Sequence, residues 1–148
     1  MRILSAVCVV LAGSAAMADP DPMAVVNEAE FHWKAKEALP PGAFGATLRG
    51  DPAKGAYDFV GKFPDKYTVP SHLHTNDVIV VMLEGTMVIG RATKPDVSIA
   101  KHGLFVLPAK LAYTAHCEAA CVFLVHGDKP FDIIYSNPKD DPRRKSER

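Results

Sequence analysis

The chain has 148 residues, of which 48% are hydrophobic and 23% charged, with 17 Lys and Arg balancing 17 Asp and Glu. That length and apolar content suit one globular domain with a real core. A net charge of zero excludes the basic stripe of a nucleic-acid binder, and no long apolar run follows the N-terminal one.

Arg2 gives a positive start, the stretch from Ile3 to Leu11 is apolar apart from Ser5, and Ala16-Met17-Ala18 fits a small-x-small cleavage site. This pattern predicts a bacterial secretory signal peptide over residues 1–18, cleaved after Ala18. The mature chain is then periplasmic or secreted and free of the membrane; an uncleaved interfacial helix is the competing reading. Cys8 lies inside the apolar run, not where a lipid-attachment cysteine sits. Residues 19–30 are acidic and rich in Ala and Val, and read as an N-terminal arm with at most one helical turn.

From Phe31 helical periodicity is poor, and short apolar runs alternate with Pro and Gly punctuation. That predicts an all-β domain over 31–140. Strands are expected at 43–48, 57–63, 78–83, 86–91, 97–100, 104–107, 111–115, 122–126 and 133–135. The 78–83 run is apolar on both faces, so its outer face needs a cover, either the N-terminal arm or a second copy in a homodimer. Residues 141–148 are polar and read as a disordered tail.

Cys117 and Cys121 flank Glu118-Ala119-Ala120, a three-residue hairpin loop. An oxidising compartment favours a disulfide between them. A thiol metal site with His116, or two free thiols, are the alternatives.

The sharpest chemical feature is Pro70-Ser71-His72-Leu73-His74. Two histidines two residues apart on a strand share a face. They can reach one ion, and imidazole suits Fe, Cu, Zn, Mn or Ni. Two surface histidines near a strand start are the plain alternative.

An ordered series of segments surrounds this pair: Leu39-Pro40-Pro41-Gly42, Gly50-Asp51-Pro52, Phe63-Pro64 with Val69-Pro70, His72 and His74, Asp77, Leu83 with Gly85-Thr86, Gly103 with Pro108, Val125-His126-Gly127, Pro130-Phe131, and Tyr135 with Asn137-Pro138 to Asp141-Pro142. In this order they resemble the cupin superfamily, and more narrowly a small single-domain bacterial subfamily. The resemblance implies a conical β-barrel (a double-stranded β-helix, or jelly roll) with a pocket inside. It also implies a metal held by the two histidines, a Glu four residues after the second of them, and a later His. Here Val78 stands at the Glu position and Tyr113 at the later His, so the metal motif is incomplete. The Gly usual two residues after Pro108 is Lys110. Asp77 is adjacent to Val78, but strand parity turns it away.

The expected pocket residues are therefore His72, His74, Val78, Met82 and Tyr113. Met82 could offer sulfur to a soft ion such as Cu(I), or simply pack in the core. Tyr113 is a candidate ligand, as phenolate, or a candidate acid. His126 and His116 are weaker ligand candidates, since alternation puts both off the inner face unless a bulge reverses it. His32, Trp33 and His102 read as rim or surface residues, and Asp51, Asp58, Asp65, Asp128 and Asp132 as turn caps.

Two functions and one structural reading are carried forward. One is an exported protein that binds a small ligand, or weakly a divalent or soft transition metal, through His72 and His74, with or without catalysis and with no metal at all as one outcome. The other is a metal-dependent oxygenase, isomerase or lyase with those histidines as ligands. A purely structural role, with relic histidines, is the third.

Overall fold

The computed structural model describes residues 24–145. The expected leader and the first part of the arm lie outside them. Among the described residues no helix is long and apolar enough to cross a membrane.

Among the described residues, eleven strands form two antiparallel sheets. In chain order they are β1 (Lys34–Ala35), β2 (Phe44–Gly50), β3 (Tyr57–Phe63), β4 (Thr68–Leu73), β5 (Val78–Glu84), β6 (Thr86–Arg91), β7 (Lys94–Ala100), β8 (Leu104–Leu107), β9 (Tyr113–Cys117), β10 (Cys121–Gly127) and β11 (Ile134–Tyr135). The larger sheet runs β1-β2-β3-β10-β5-β8 and the smaller β11-β4-β9-β6-β7. The two sheets face each other as a jelly roll. This is the expected jelly roll, in which the hydrogen-bonded ladder among the described residues does not continue from one sheet to the other.

Alternation sets the core. On β3, Tyr57, Phe59 and Phe63 point inward; on β5, Val78, Val80 and Met82; on β10, Cys121, Phe123 and Val125. One end is shut by the hairpin of β9 and β10, where a disulfide joins Cys117 and Cys121 with Cα atoms 6.1 Å apart. Gly85, which links β5 to β6, packs under that hairpin at φ +74; a Cβ there would meet the Ala120 carbonyl oxygen at 2.5 Å. Glycine is thus required by both conformation and space.

The outer face of the β5–β8 pair is not covered by the described residues. Leu83, Leu104 and Val106 are exposed, and residues 24–30 of the arm are themselves exposed. The arm forms one 3-10 turn, Glu28–Glu30. Of the tail expected over 141–148, residues 141–145 are described. Pro142–Lys145 is a 3-10 helix, and the Arg143 guanidinium both pairs with Asp141 and donates to the Ile133 carbonyl at 3.0 Å. A polar composition hid this docking.

Lys110 adopts φ 64, the left-handed conformation that suits glycine, and its N–H donates to the His74 carbonyl at 2.7 Å. A side chain there costs about 1–2 kcal/mol. Lys110→Gly is expected to raise the unfolding free energy by up to about 1 kcal/mol, after the entropy that glycine loses on folding, as read by urea denaturation.

Candidate functional site

His72 lies on β4 and His74 one residue past its end. Both are buried, at 3% and 5% exposure. The strand slips register between Val69 and His72. This bulge at Pro70-Ser71 is what allows Val69 and His72, three residues apart, both to point inward. Pro70 has no N–H to lose from the ladder, and its carbonyl instead accepts from His72 Nδ1–H at 2.7 Å. His72 is directly opposite Tyr113 on β9 and Tyr135 on β11, with ring centroids 4.4 Å and 6.0 Å away.

His74 is fixed at both nitrogens. Nδ1–H donates to the Asp132 carbonyl, and Nε2 accepts from the Tyr113 hydroxyl at 2.7 Å. The Asp132 carboxylate in turn accepts from the Thr75 N–H at 2.8 Å, tying that loop to the end of β4. His72 Nε2 has no such partner. The only sealed, unpartnered side-chain nitrogen among the described residues is Arg91 Nε, so His72 Nε2 opens onto accessible space.

That space is a cavity of about 340 Å³ between the sheets, lined by His72, His74, Val78 and Tyr113, with Phe59, Phe63, Phe105, Phe123 and Phe131 among its apolar walls. Burial disfavours charge on both imidazoles. It takes the His72 pKa down to about 4, against the opposing effect of the Pro70 carbonyl and with a small further push from His74. It also lowers that of His74, with Asp132 opposing. The Tyr113 phenol is pushed well above its ordinary value, by burial first and Tyr57 second. The site therefore holds two neutral imidazoles and a protonated phenol.

Several expected members are placed elsewhere. Met82 points inward but is fully buried and does not line the cavity. It sits at the far end of β5, where its N–H and carbonyl bond Gly103 and His102, and Met87 on β6 lines the cavity instead. His126 is on the outer face, against Asp58 at 2.7 Å and Asp128 at 3.3 Å. The register shift beside β10 drops Leu83 from the β5 ladder and leaves β10 alternating cleanly. Asp58 is correspondingly a strand residue that binds Arg49 and His126, not a turn cap. His116 bonds Thr68 Oγ1 at 2.9 Å on the exposed side. Asp77 faces away as parity required, and accepts from the Ala109 N–H at 2.7 Å.

The metal that the resemblance implies does not fit this donor set. One imidazole lone pair is occupied by Tyr113, and that phenol resists ionisation. Val78 contributes no charge, and Glu37, the one carboxylate among the lining residues, is itself exposed. Among the described residues no group of three or more His, Cys, Asp or Glu could hold an ion. Two neutral donors do not offset a divalent charge in an apolar cavity.

No family model and no curated protein matches the chain. Solved structures do. The polyketide cyclase RemF from Streptomyces resistomycificus overlays with a TM-score of 0.67 at 16% identity, covering 85% of this chain and 94% of that one. An RmlC-like cupin protein from Ralstonia eutropha gives 0.64 at 17% identity, over 80% and 74%. A putative acetylacetone dioxygenase from Methylibium petroleiphilum gives 0.63 at 15%, over 84% and 88%. At such identities the likeness is one of architecture and not of chemistry: this chain has the fold seen in cupin proteins.

Proposed function

We propose that the mature chain is an exported binding protein for a small, mainly apolar organic molecule, held between the sheets and oriented by His72. The carrying observation is a 340 Å³ aromatic-walled cavity into which one neutral imidazole presents a free acceptor nitrogen. A small number of placed polar groups in an apolar pocket is the usual pattern of such sites. The His72 Nδ1–H bond to Pro70 fixes the tautomer, so Nε2 accepts from a ligand O–H or N–H. Tyr113 is committed to His74 and braces the wall. The competing reading, a metal-dependent enzyme, gains nothing from a donor set of this kind.

The probe of choice is 2-naphthol, an aromatic body with one donor. It should raise the melting temperature of the wild type by several degrees at saturation. Ala115, a buried lining residue of β9, offers a block: Ala115→Phe should fold and show no shift. No shift in the wild type, or an equal one in the variant, contradicts the reading.

Export is supported by the buried Cys117–Cys121 disulfide, which suits an oxidising compartment. A second copy covering Leu104 and Val106 belongs to the same proposal. It is supported by the exposure of these apolar side chains, which the described part of the arm, itself exposed, leaves uncovered. N-terminal sequencing of the exported protein should begin at Asp19, and sedimentation should give a dimer.

A further inference from the structure

Of the two charged residues that line the cavity, Lys36 and the exposed Glu37, Lys36 is the one whose side chain packs against the wall. Lys36 follows β1 and is half-buried. Its stem crosses β2 over Gly45, where a Cβ would lie 2.2 Å from Lys36 Cε. A side chain at position 45 would displace the flexible end of Lys36 from this path. The ammonium is 5.0 Å from the centre of the Phe59 ring, on the inner face of the larger sheet, and the residue lines the same cavity as His72 and His74.

The segment that carries it is fastened. The Lys36 N–H donates to Ala43 and its carbonyl accepts from Leu39. The hydroxyls of Tyr67 and Tyr135 donate to the carbonyls of Pro40 and Ala38. Among the described residues no carboxylate forms an ion pair with Lys36. The backbone that carries the cation is thus held in place, and the side chain is half-buried with no ion pair among the described residues.

Resting on the ligand-binding reading above, we propose that Lys36 is the anion anchor of the cavity and that the ligand is an apolar acid, an aromatic or similarly apolar body bearing a carboxylate or equivalent anionic group. A cation over an aromatic face gains some stabilisation, but an anion delivered by the ligand satisfies it better. Burial, and to a lesser degree Lys34, lower the Lys36 pKa, the direction expected of a cation that lacks its counter-charge.

A matched pair of probes tests this: 6-hydroxy-2-naphthoate and its neutral carboxamide, titrated calorimetrically into the mature protein. The wild type should bind the acid about 10-fold more tightly, the size of one charge-assisted contact. Lys36→Met, which keeps the stem, should weaken the acid by a similar factor and leave the amide unchanged, and Lys36→Arg should retain the preference. Lys36→Gln serves as a second neutral variant should Met disturb the fold. Equal binding of the two probes by the wild type, or an unchanged ratio in both neutral variants, overturns the anchor and leaves the cavity reading standing. Binding of neither probe overturns both.

Discussion

Between pH 7 and pH 4 the protein should lose about 3 kcal/mol of stability through His72 alone. Its pKa falls from 6.5 to about 4 on folding, and each pH unit between those two values is worth about 1.4 kcal/mol. The folded chain binds fewer protons than the unfolded one in that window. The contribution is therefore fully present above about pH 6.5 and is lost as pH falls towards 4. His74 shifts in the same direction and steepens the loss. Native carboxylates with lowered pKa, such as Asp141 beside Arg143, also lose stability on acidification, so the informative quantity is a difference. His72→Asn, whose amide can still donate to the Pro70 carbonyl, should remove the His72 part. Urea denaturation at pH 7 and pH 4 should show the variant losing about 3 kcal/mol less than the wild type. Equal losses would mean that His72 is solvated.

The second large effect is a gain. Val78→Glu together with Tyr113→His supplies a carboxylate and a third imidazole on the inner face and frees His74 Nε2 from its phenol. Two added ligands, each worth at least the ~1.5–3 kcal/mol of a contact to a charged group, should raise the affinity for Zn, Ni or Mn by ~100-fold or more. The wild type should bind these ions weakly. Tyr113→Phe is the control that frees His74 without adding a donor, and its gain should be far smaller. Isothermal titration with each ion reads all three. Affinity unchanged in the double variant would show that His72, Val78 and Tyr113 do not converge on one point. Tight binding by the wild type would overturn the donor-set argument.

Most strands were legible because the punctuation is strong. Tyr57–Phe63, Thr86–Arg91 and Leu104–Leu107 fall where the apolar runs fall. Where the structure departs from the reading, a local cause is visible. Thr68–Leu73 carries Pro70 and polar residues and hides as a strand because it is bulged. Lys94–Ala100 begins three residues early, since an exposed edge strand tolerates Pro95 and Asp96. The strand expected from Leu111 starts at Tyr113 because Leu111 is still bonded back to Pro108.

The site was half legible. The His72 and His74 spacing could be read from the residues and the place of Tyr113 from the cupin resemblance, and the structure brings these three together. The Tyr113–His74 bond could not be read, because it depends on a register between strands 39 residues apart. Nor could the role of Asp132, which holds His74 through its backbone carbonyl and so leaves no side-chain signature. Lys36 sits in a polar stretch, Lys34-Ala35-Lys36-Glu37, that looks like surface. Only the pairing of β1 with β2, which places Gly45 opposite Lys34, shows why its stem turns inward.

Whether His72 receives a ligand is decided by long-range 1H–15N correlation spectra of the histidine-labelled mature protein at pH 7, with and without 2-naphthol. His72 and His74 should both be neutral with the proton on Nδ1. The His72 Nε2 resonance should move when the probe is added, while those of His102 and His126 stay in place. A proton on Nε2 of either buried ring, a charged imidazolium, or a response confined to the outer histidines would contradict a cavity in which His72 holds the ligand.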